Sequence, residues 1–195
     1  MKGESTTRQM IIEKAALVIN QKGMAGTAIS DIMAATKLAK GGIYGNFESK
    51  EEICQEVFKY LTQRLTSAID NALRDKPTAK AKLKALLEFY RDVLPAHNGG
   101  GCPLLNFGVE ADDTNPIIRG RVGEAIQAAE SRITNLVTAG IQAGEFDPSV
   151  NARHFAVKMF TMIEGAILVT RVLGNPQQMK IVTDILAAEI DAFSL

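Results

Sequence analysis

A pair of short helices joined by a tight turn is predicted between residues 29 and 50, and this pattern constrains the fold more than any other feature. The apolar face of the first helix, spaced i, i+3 and i+4, consists of Ile29, Ile32 and Met33. Small residues lead into a bend, and Ile43 and Phe47 follow at the i and i+4 spacing of a second short helix. The segment carries lysines and almost no side chain capable of covalent chemistry. It therefore indicates a surface that meets a phosphate backbone.

Capping residues mark the expected ends of these helices. Thr27 is predicted as the N-cap of the first helix, where its hydroxyl accepts a backbone N–H and a phosphate could lie against the helix dipole. Ser49 and Glu52 match the S-x-x-E capping box. A third, longer helix is therefore predicted from about Lys50, with a four-residue apolar repeat over 53–73.

Two consecutive glycines interrupt the second short helix. Gly41 and Gly42 each cost roughly 1 kcal/mol relative to alanine as helix formers. That cost suggests that another object comes close to the backbone here. The object is either a nucleic-acid backbone in a groove or a partner helix.

The rest of the chain favours an all-α fold, because apolar residues follow helical spacing and β-branched alternation of period two is hard to find. A first helix is predicted from about Thr6 to Lys22, with Gly23 as its C-terminal stop. A three-helix helix-turn-helix head over residues 1–50 thus precedes a larger helical body over residues 51–195. Further helices are predicted at 78–95, 103–111, 116–143, 150–173 and 177–193, with a mobile loop at 98–103.

Charge is distributed unevenly, although the net charge is zero. Residues 1–50 hold seven basic and four acidic side chains, and the remainder holds 15 basic and 18 acidic side chains. A basic head on a mildly acidic body fits contact with a polyanion at one end. Without a signal peptide or a membrane-spanning apolar run, we expect a cytoplasmic protein with reduced thiols.

The predicted helix at 150–173 is apolar on nearly every side. Such a helix must be covered all round. A second subunit is one cover, which predicts a homodimer through the two long helices within 117–173. A central helix within a monomer is the alternative.

Two segments resemble the TetR family of one-component transcriptional regulators. TRQMIIEKAALVINQKGMAGTAISDI is similar to the first two helices of that family, and GGIYGNFESKEEI is similar to its motif G-x-[LI]-Y-x-x-F-x-[SN]-K-E-E-[LI]. The likeness is dense over roughly residues 6–60 and architectural beyond. It implies a homodimer that places two recognition helices in successive major grooves of a pseudo-palindromic double-stranded operator, usually as a repressor. It also implies a small apolar effector that binds in the body, tilts the long fourth helix and moves the heads apart.

Carried over residue by residue, the resemblance implies phosphate contacts from Lys40, Tyr44 and Lys50 and base-edge positions at Gly42, Gly45 and Asn46. Ile43 and Phe47 would hold the recognition helix on the core of the head. The full predicted DNA-binding set is Thr27, Ala28, Thr36, Lys37, Lys40, Gly41, Gly42, Tyr44, Gly45, Asn46 and Lys50.

Three departures from the family pattern affect the recognition helix. Ala39 stands where a serine or threonine often caps this helix, so we expect the helix to start less firmly. Gly42 and Gly45 replace larger side chains, which leaves few groups for direct base readout. Asn46 could pair bidentately with adenine. Otherwise specificity would depend on DNA shape and on Ala28, Thr36 and Lys37.

An effector site in the body is predicted from apolar and aromatic side chains, which would serve equally well as ordinary core. The candidates are Phe89, Tyr90, Cys102, Phe107, Met159, Phe160 and Ile163. Cys102 adjoins a glycine run and invites a redox-sensor reading, against that of a small buried hydrophobe. His97 and His154 are too far apart to indicate a metal site.

A ligand-responsive DNA-binding repressor is the favoured function. No cofactor is expected, and an enzyme has no support, because the chain lacks G-x-S-x-G, H-E-x-x-H and a phosphate-cradling loop. The alternative is a helical adaptor that uses the helix-turn-helix head for protein contacts.

Overall fold

The computed structural model describes the backbone of residues 2–93 and 100–195 and the side chains of residues 7–92 and 100–195. Within these ranges the regular structure is helical, apart from one isolated bridge between Phe146 and Ser194. The all-α prediction is confirmed. The predicted helix end near Pro95, the interpretation of His97 and the first residues of the loop at 98–103 lie outside the described residues.

Helices follow one another along the part of the chain that the structure describes. The first four are α1 (Lys2–Lys22), α2 (Ile29–Thr36), α3 (Lys40–Tyr44) and α4 (Lys50–Leu73). The next is α5 (Ala79–Glu88), which continues as a π-helical turn over Phe89–Val93. The last four are α6 (Pro103–Ala111), α7 (Pro116–Gln142), α8 (Ala152–Leu173) and α9 (Gln177–Ala192).

One compact unit consists of Met1–Thr66 and Asn98–Val122. Its core is built from side chains at helical spacing that are nearly inaccessible to solvent: Ile11, Ala15, Ile19, Ile32, Ile43, Phe47, Ile53 and Val57. Phe58 on α4 contacts Phe107 on α6, with ring centroids 5.1 Å apart. This unit thus joins α6 to the helices of the head, whereas a functional boundary after residue 50 stays a prediction.

The second unit consists of Ser67–His97 and Gly123–Leu195. The start of α5 is capped twice: Thr78 accepts the N–H of Ala81 at 3.1 Å, and the Glu145 carboxylate accepts those of Ala79 and Lys80 at 3.1 and 3.0 Å. The predicted cap at Thr78 is confirmed. Asn151 caps α8 in the same way through the N–H of His154.

Helix α8 has a buried face and an exposed apolar face. The buried residues are Phe155, Ala156, Met159, Ile163, Ala166 and Ile167. The exposed apolar residues are Val157, Leu168, Val169, Val172 and Leu173. Packing within one chain therefore leaves half of this helix uncovered. Among the described helices, none is long and apolar enough to cross a membrane.

Candidate nucleic-acid interface

The residue that caps α2, at the end of the loop from α1, differs from the one predicted from the sequence. Ala28 is the N-cap residue of α2, and its N–H donates to the Asp31 carboxylate at 2.9 Å. Thr27 is buried, and its hydroxyl donates to the carbonyl of Gly23 at 2.6 Å. The prediction that Thr27 caps α2 is therefore wrong. The helix begins one residue later than this cap requires. Ala28 has no side-chain acceptor for the first N–H groups of α2, and the Asp31 carboxylate accepts the N–H of Ala28 itself.

Asp31 also joins α2 to the end of α1. Its carboxylate lies 2.6 Å from the Lys22 ammonium. The hydrogen bond from Lys22, followed by the one from the backbone N–H of Ala28, lowers the pKa of Asp31 below its ordinary value.

The turn between α2 and α3 is made by Thr36 and Lys37. Lys37 adopts the left-handed conformation, with φ 62°, and its N–H donates to the carbonyl of Met33 at 2.8 Å. The buried Thr36 hydroxyl donates to Ile32 O at 2.8 Å and accepts the N–H of Leu38 at 3.3 Å. Thr36 thus shapes the turn from within, while the side chain of Lys37 is exposed.

Helix α3 presents Lys40, Gly41 and Tyr44 to solvent, and we call these three residues the contact face. The Lys40 ammonium lies 5.8 Å from the centroid of the Tyr44 ring, one helical turn away. Outside the backbone of the helix itself, no described atom lies within 4 Å of where a Cβ on Gly41 would stand. Ala39 is the N-cap residue of α3 and makes no side-chain cap bond, as the sequence indicates.

The two glycines at base-edge positions have different surroundings. A Cβ on Gly42 would meet the Leu38 side chain at an ordinary 3.5 Å, whereas one on Gly45 would stand 3.1 Å from the carbonyl oxygen of Gly41. Asn46 is folded back onto this helix, because its Nδ2 donates to Gly42 O at 2.9 Å. Its amide must release that carbonyl before it can pair with a base.

Arg8 on α1 binds the residues that follow the C-terminal end of α3. This role of Arg8 was not predicted from the sequence. Its guanidinium lies 4.2 Å from the centroid of the Phe47 ring and donates both to Asn46 O and, at 2.8 Å, to the Glu52 carboxylate. Arg8 occupies a position where the buried stripe of α1 would otherwise begin with an apolar residue. A charged side chain on an apolar stripe was the available signal.

Lys50 is half-buried and is turned toward the loop between α1 and α2. Its Nζ donates to Met24 O and Thr27 O, each at 2.9 Å. These bonds use two of the three donors of an ammonium group. The predicted phosphate contact of Lys50 remains untested, but its observed role is to hold this loop.

The start of α4 confirms half of the predicted capping box. Ser49 Oγ accepts the N–H of Glu52 at 3.1 Å, whereas the Glu52 carboxylate accepts the N–H of Glu48, at 2.7 Å, and not that of Ser49. The bond from Glu48, followed by the bond from Arg8, lowers the pKa of Glu52.

The predicted effector residues are buried, except for Phe160, which is half-buried. In the second unit the rings of Phe89 and Tyr90 meet edge to face at 5.6 Å. An open groove of about 420 Å³ runs between α8 and α9, and Phe160 and the other predicted residues do not line it.

Burial raises the pKa of the Cys54 thiol to about 11. Within the described residues, no three His, Cys, Asp or Glu side chains group as a metal site.

Comparison with known proteins agrees with this geometry. Residues 11–57 match the family model for bacterial regulatory proteins of the tetR family, and residues 79–186 match that for the tetracyclin repressor-like C-terminal domain. The HTH-type transcriptional repressor DhaR of Mycobacterium sp. strain GP1 is 24% identical over 176 residues, covering 88% of this chain and 86% of DhaR.

Two crystal structures are similar over the whole chain. A TetR-family transcriptional regulator from Cytophaga hutchinsonii is 37% identical, with a TM-score of 0.95, and covers 100% of this chain and 98% of its own. A TetR transcriptional regulator from Chloroflexus aurantiacus is 36% identical, with a TM-score of 0.94 and the same coverage.

Proposed function

Because this chain belongs to the TetR family of helix-turn-helix transcriptional regulators, we propose that it is a repressor that binds a pseudo-palindromic operator as a homodimer and responds to a small apolar effector. The DNA-binding role follows from the family. The contact face of α3 is the observation that supports the assignment of individual DNA contacts.

Phosphate contacts are assigned to Lys40 and Tyr44. Both side chains are exposed, they share one side of α3, and the bare backbone of Gly41 lies between them. A phosphate can therefore approach α3 more closely here than a side chain at residue 41 would allow. Lys37, exposed in the preceding turn, supplies a further positive charge.

Direct base readout is limited in this arrangement. Gly42 and Gly45 offer no side chain, Thr36 is buried, and the amide of Asn46 bonds to α3 itself. We therefore assign sequence preference mainly to DNA shape and deformability. Ala28, exposed at the start of α2, and a released Asn46 are the remaining candidates for base contacts.

The homodimer is assigned to the exposed apolar faces of α8 and α9. These faces carry Val157, Leu168 and Val172 on α8 and Ile181 and Ile185 on α9. Among the described residues of α7, by contrast, Ile117 is the one large apolar side chain that is exposed. The interface expected from α7 and α8 is thus better supported as one between α8 and α9, with two helices from each subunit.

Binding of double-stranded DNA selected from random sequences tests this function. Fluorescence anisotropy at several salt concentrations should show that the logarithm of the binding constant falls linearly with the logarithm of the salt concentration. Two chains should bind each site. The target being DNA, we also propose a cytoplasmic location. Absence of any salt-dependent DNA binding would favour the adaptor.

A further inference from the structure

A carboxylate from α6 bonds to the loop that connects α1 and α2. Glu110 Oε1 accepts the N–H of Met24 at 3.0 Å, and its Oε2 accepts the N–H of Ala25 at 2.8 Å. Met24 and Ala25 lie five and four residues before Ile29, the first residue of α2. Glu110 itself lies far along the chain, within the segment that matches the family's C-terminal domain.

Gly23 makes this contact possible. It has a φ of 81°, a conformation that favours glycine, and a Cβ there would stand 2.2 Å from Glu110 Oε1. Any side chain at residue 23 would therefore displace the carboxylate. The loop backbone and Glu110 fit each other only because this residue is a glycine.

The same loop is held on its carbonyl side by Lys50. Its ammonium binds Met24 O and Thr27 O, while Thr27 Oγ1 binds Gly23 O. A carboxylate thus accepts the N–H groups of residues 24 and 25, and an ammonium donates to the carbonyls of residues 24 and 27. We call residues 23–27 with these two side chains the loop clamp.

Helix α6 is itself fixed to the end of α1, so that Glu110 is held in place. Asn106 Nδ2 donates to Asn20 O at 3.0 Å and to Gly100 O at 2.7 Å, and Asn20 Nδ2 donates to Gly101 O at 3.3 Å. The position of α6 therefore determines where the carboxylate of Glu110 stands.

We propose that Glu110 is a positioning residue for operator binding. Its carboxylate fixes the loop at 23–27, and through the loop the start of α2, in the orientation that presents the head to DNA. Glu110 has no assigned contact with DNA. This proposal rests on the proposed function, since it concerns how the same DNA surface is held.

A purely electrostatic effect and a positioning role of Glu110 predict opposite changes in DNA affinity when its charge is removed, which makes the proposal testable. Removing a negative charge near a surface that binds a polyanion should by charge alone strengthen binding or leave it unchanged. A positioning role predicts weaker binding, because one loop N–H loses its acceptor and the loop must be ordered during binding. The sign of the change therefore separates the two.

Three variants test the proposal by anisotropy on one selected operator. Glu110→Gln removes the charge and one of the two acceptors, whereas Glu110→Asp keeps the charge but shortens the reach. Glu124→Gln, at an exposed position of α7, is the matched control for charge. We expect the two Glu110 variants to bind about 5- to 10-fold more weakly, and the control to bind within about twofold of the original chain.

Two further readouts separate positioning from mere stability. The salt dependence should keep its slope, because no phosphate contact is removed. Amide hydrogen exchange at Met24 and Ala25 should accelerate in Glu110→Gln at a temperature where the protein is fully folded.

Unchanged or tighter operator binding by both Glu110 variants would overturn the proposal, as would unchanged exchange at Met24 and Ala25. A salt slope reduced by about 1 would also overturn it, since Glu110 would then affect a phosphate contact directly. If the original chain binds no DNA, the proposed function fails, and the exchange measurement still reports whether Glu110 holds the loop.

Discussion

The contact face of α3 and the polar side chains that surround it use similar residue types in opposite ways. Lys40 and Tyr44 are exposed, and the Lys40 ammonium lies 5.8 Å from the centroid of the Tyr44 ring. Lys50 and Arg8, by contrast, donate to backbone carbonyls, and Arg8 also donates to a carboxylate. We assign the first pair to DNA contacts. The second pair bonds to the protein itself: Lys50 to the loop between α1 and α2, and Arg8 to the end of the α3 segment and to α4. A DNA-binding motif therefore combines contact residues with supporting residues, and exposure and hydrogen bonding distinguish them.

The two aromatic residues of the motif give the largest expected difference. Phe47 is 2% exposed beneath Arg8, whereas Tyr44 is 39% exposed. We expect Phe47→Ala to lower the free energy of unfolding by about 3–5 kcal/mol through the cavity it leaves. Tyr44→Ala should change it by less than about 0.5 kcal/mol and should weaken operator binding.

Chemical denaturation and anisotropy on the same two variants measure this contrast. Equal losses of stability would mean that Tyr44 belongs to the support of the head. Unchanged DNA affinity in Tyr44→Ala would remove Tyr44 from the contact face.

The two lysines give the next largest difference. Lys40→Ala should weaken binding to all DNA sequences alike and reduce the salt slope by about 1, with little change in stability. Lys50→Ala should lower the free energy of unfolding by about 1–2 kcal/mol, because Met24 O and Thr27 O lose a charged donor. Salt titrations and denaturation curves of both variants separate these roles.

A changed sequence preference in Lys40→Ala would contradict its assignment as a phosphate contact. If Lys50→Ala instead kept its stability and reduced the salt slope by about 1, the sequence-based assignment of Lys50 to phosphate would be correct.

Sequence patterns were sufficient for the helices but not for this division of roles. Apolar spacing predicted α1 to α4 and the buried positions of Ile43 and Phe47, because burial follows from helical period. Met24 bonds to Lys50, which lies 26 positions further along the chain, and to Glu110, which lies 86 positions further. No local pattern contains them, since a lysine on a motif looks the same whether its ammonium faces solvent or a loop carbonyl.

The face of α8 illustrates a second limit. Its apolar composition predicted a helix that needs cover beyond one chain, and Val157, Leu168 and Val172 are exposed in the structure, yet composition could not say which neighbouring helix shares the uncovered side. The sequence does not show that Ile181 and Ile185 on α9 are exposed while their neighbours Val182 and Leu186 are buried. The packing of α9 in the fold shows this difference.

Asn46 could be a contact residue or a supporting residue, and we expect its substitution to have a smaller effect on DNA affinity. If its amide serves to close α3 by donating to Gly42 O, Asn46→Ala should weaken binding to all operators by a similar factor, about fivefold. If it pairs with adenine, the loss should be confined to sites with adenine at one position. Binding to a panel of operators with single base changes distinguishes the outcomes.

The smallest expected effect is that of acidic pH on the supporting ion pairs. The pKa values of Asp31 and Glu52 are lowered in the folded protein, from ordinary values of 3.8 and 4.5, by the hydrogen bonds they accept. Their contribution to stability is therefore fully present above those ordinary values and is lost as pH falls through them toward the folded pKa. Thermal unfolding of the original chain should show a decline below about pH 4.5.

Asp31→Asn isolates the contribution of Asp31, because Glu52 in the first unit and Asp147 and Asp191 in the second also have lowered pKa values. The difference in unfolding free energy between the original chain and Asp31→Asn should be constant above about pH 5 and should shrink below about pH 4. A difference that persists unchanged to pH 3 would mean that the Asp31 carboxylate is not stabilised by Lys22 and Ala28 in solution. The start of α2 would then depend on the loop clamp alone, and Glu110→Gln should have the larger effect on DNA binding.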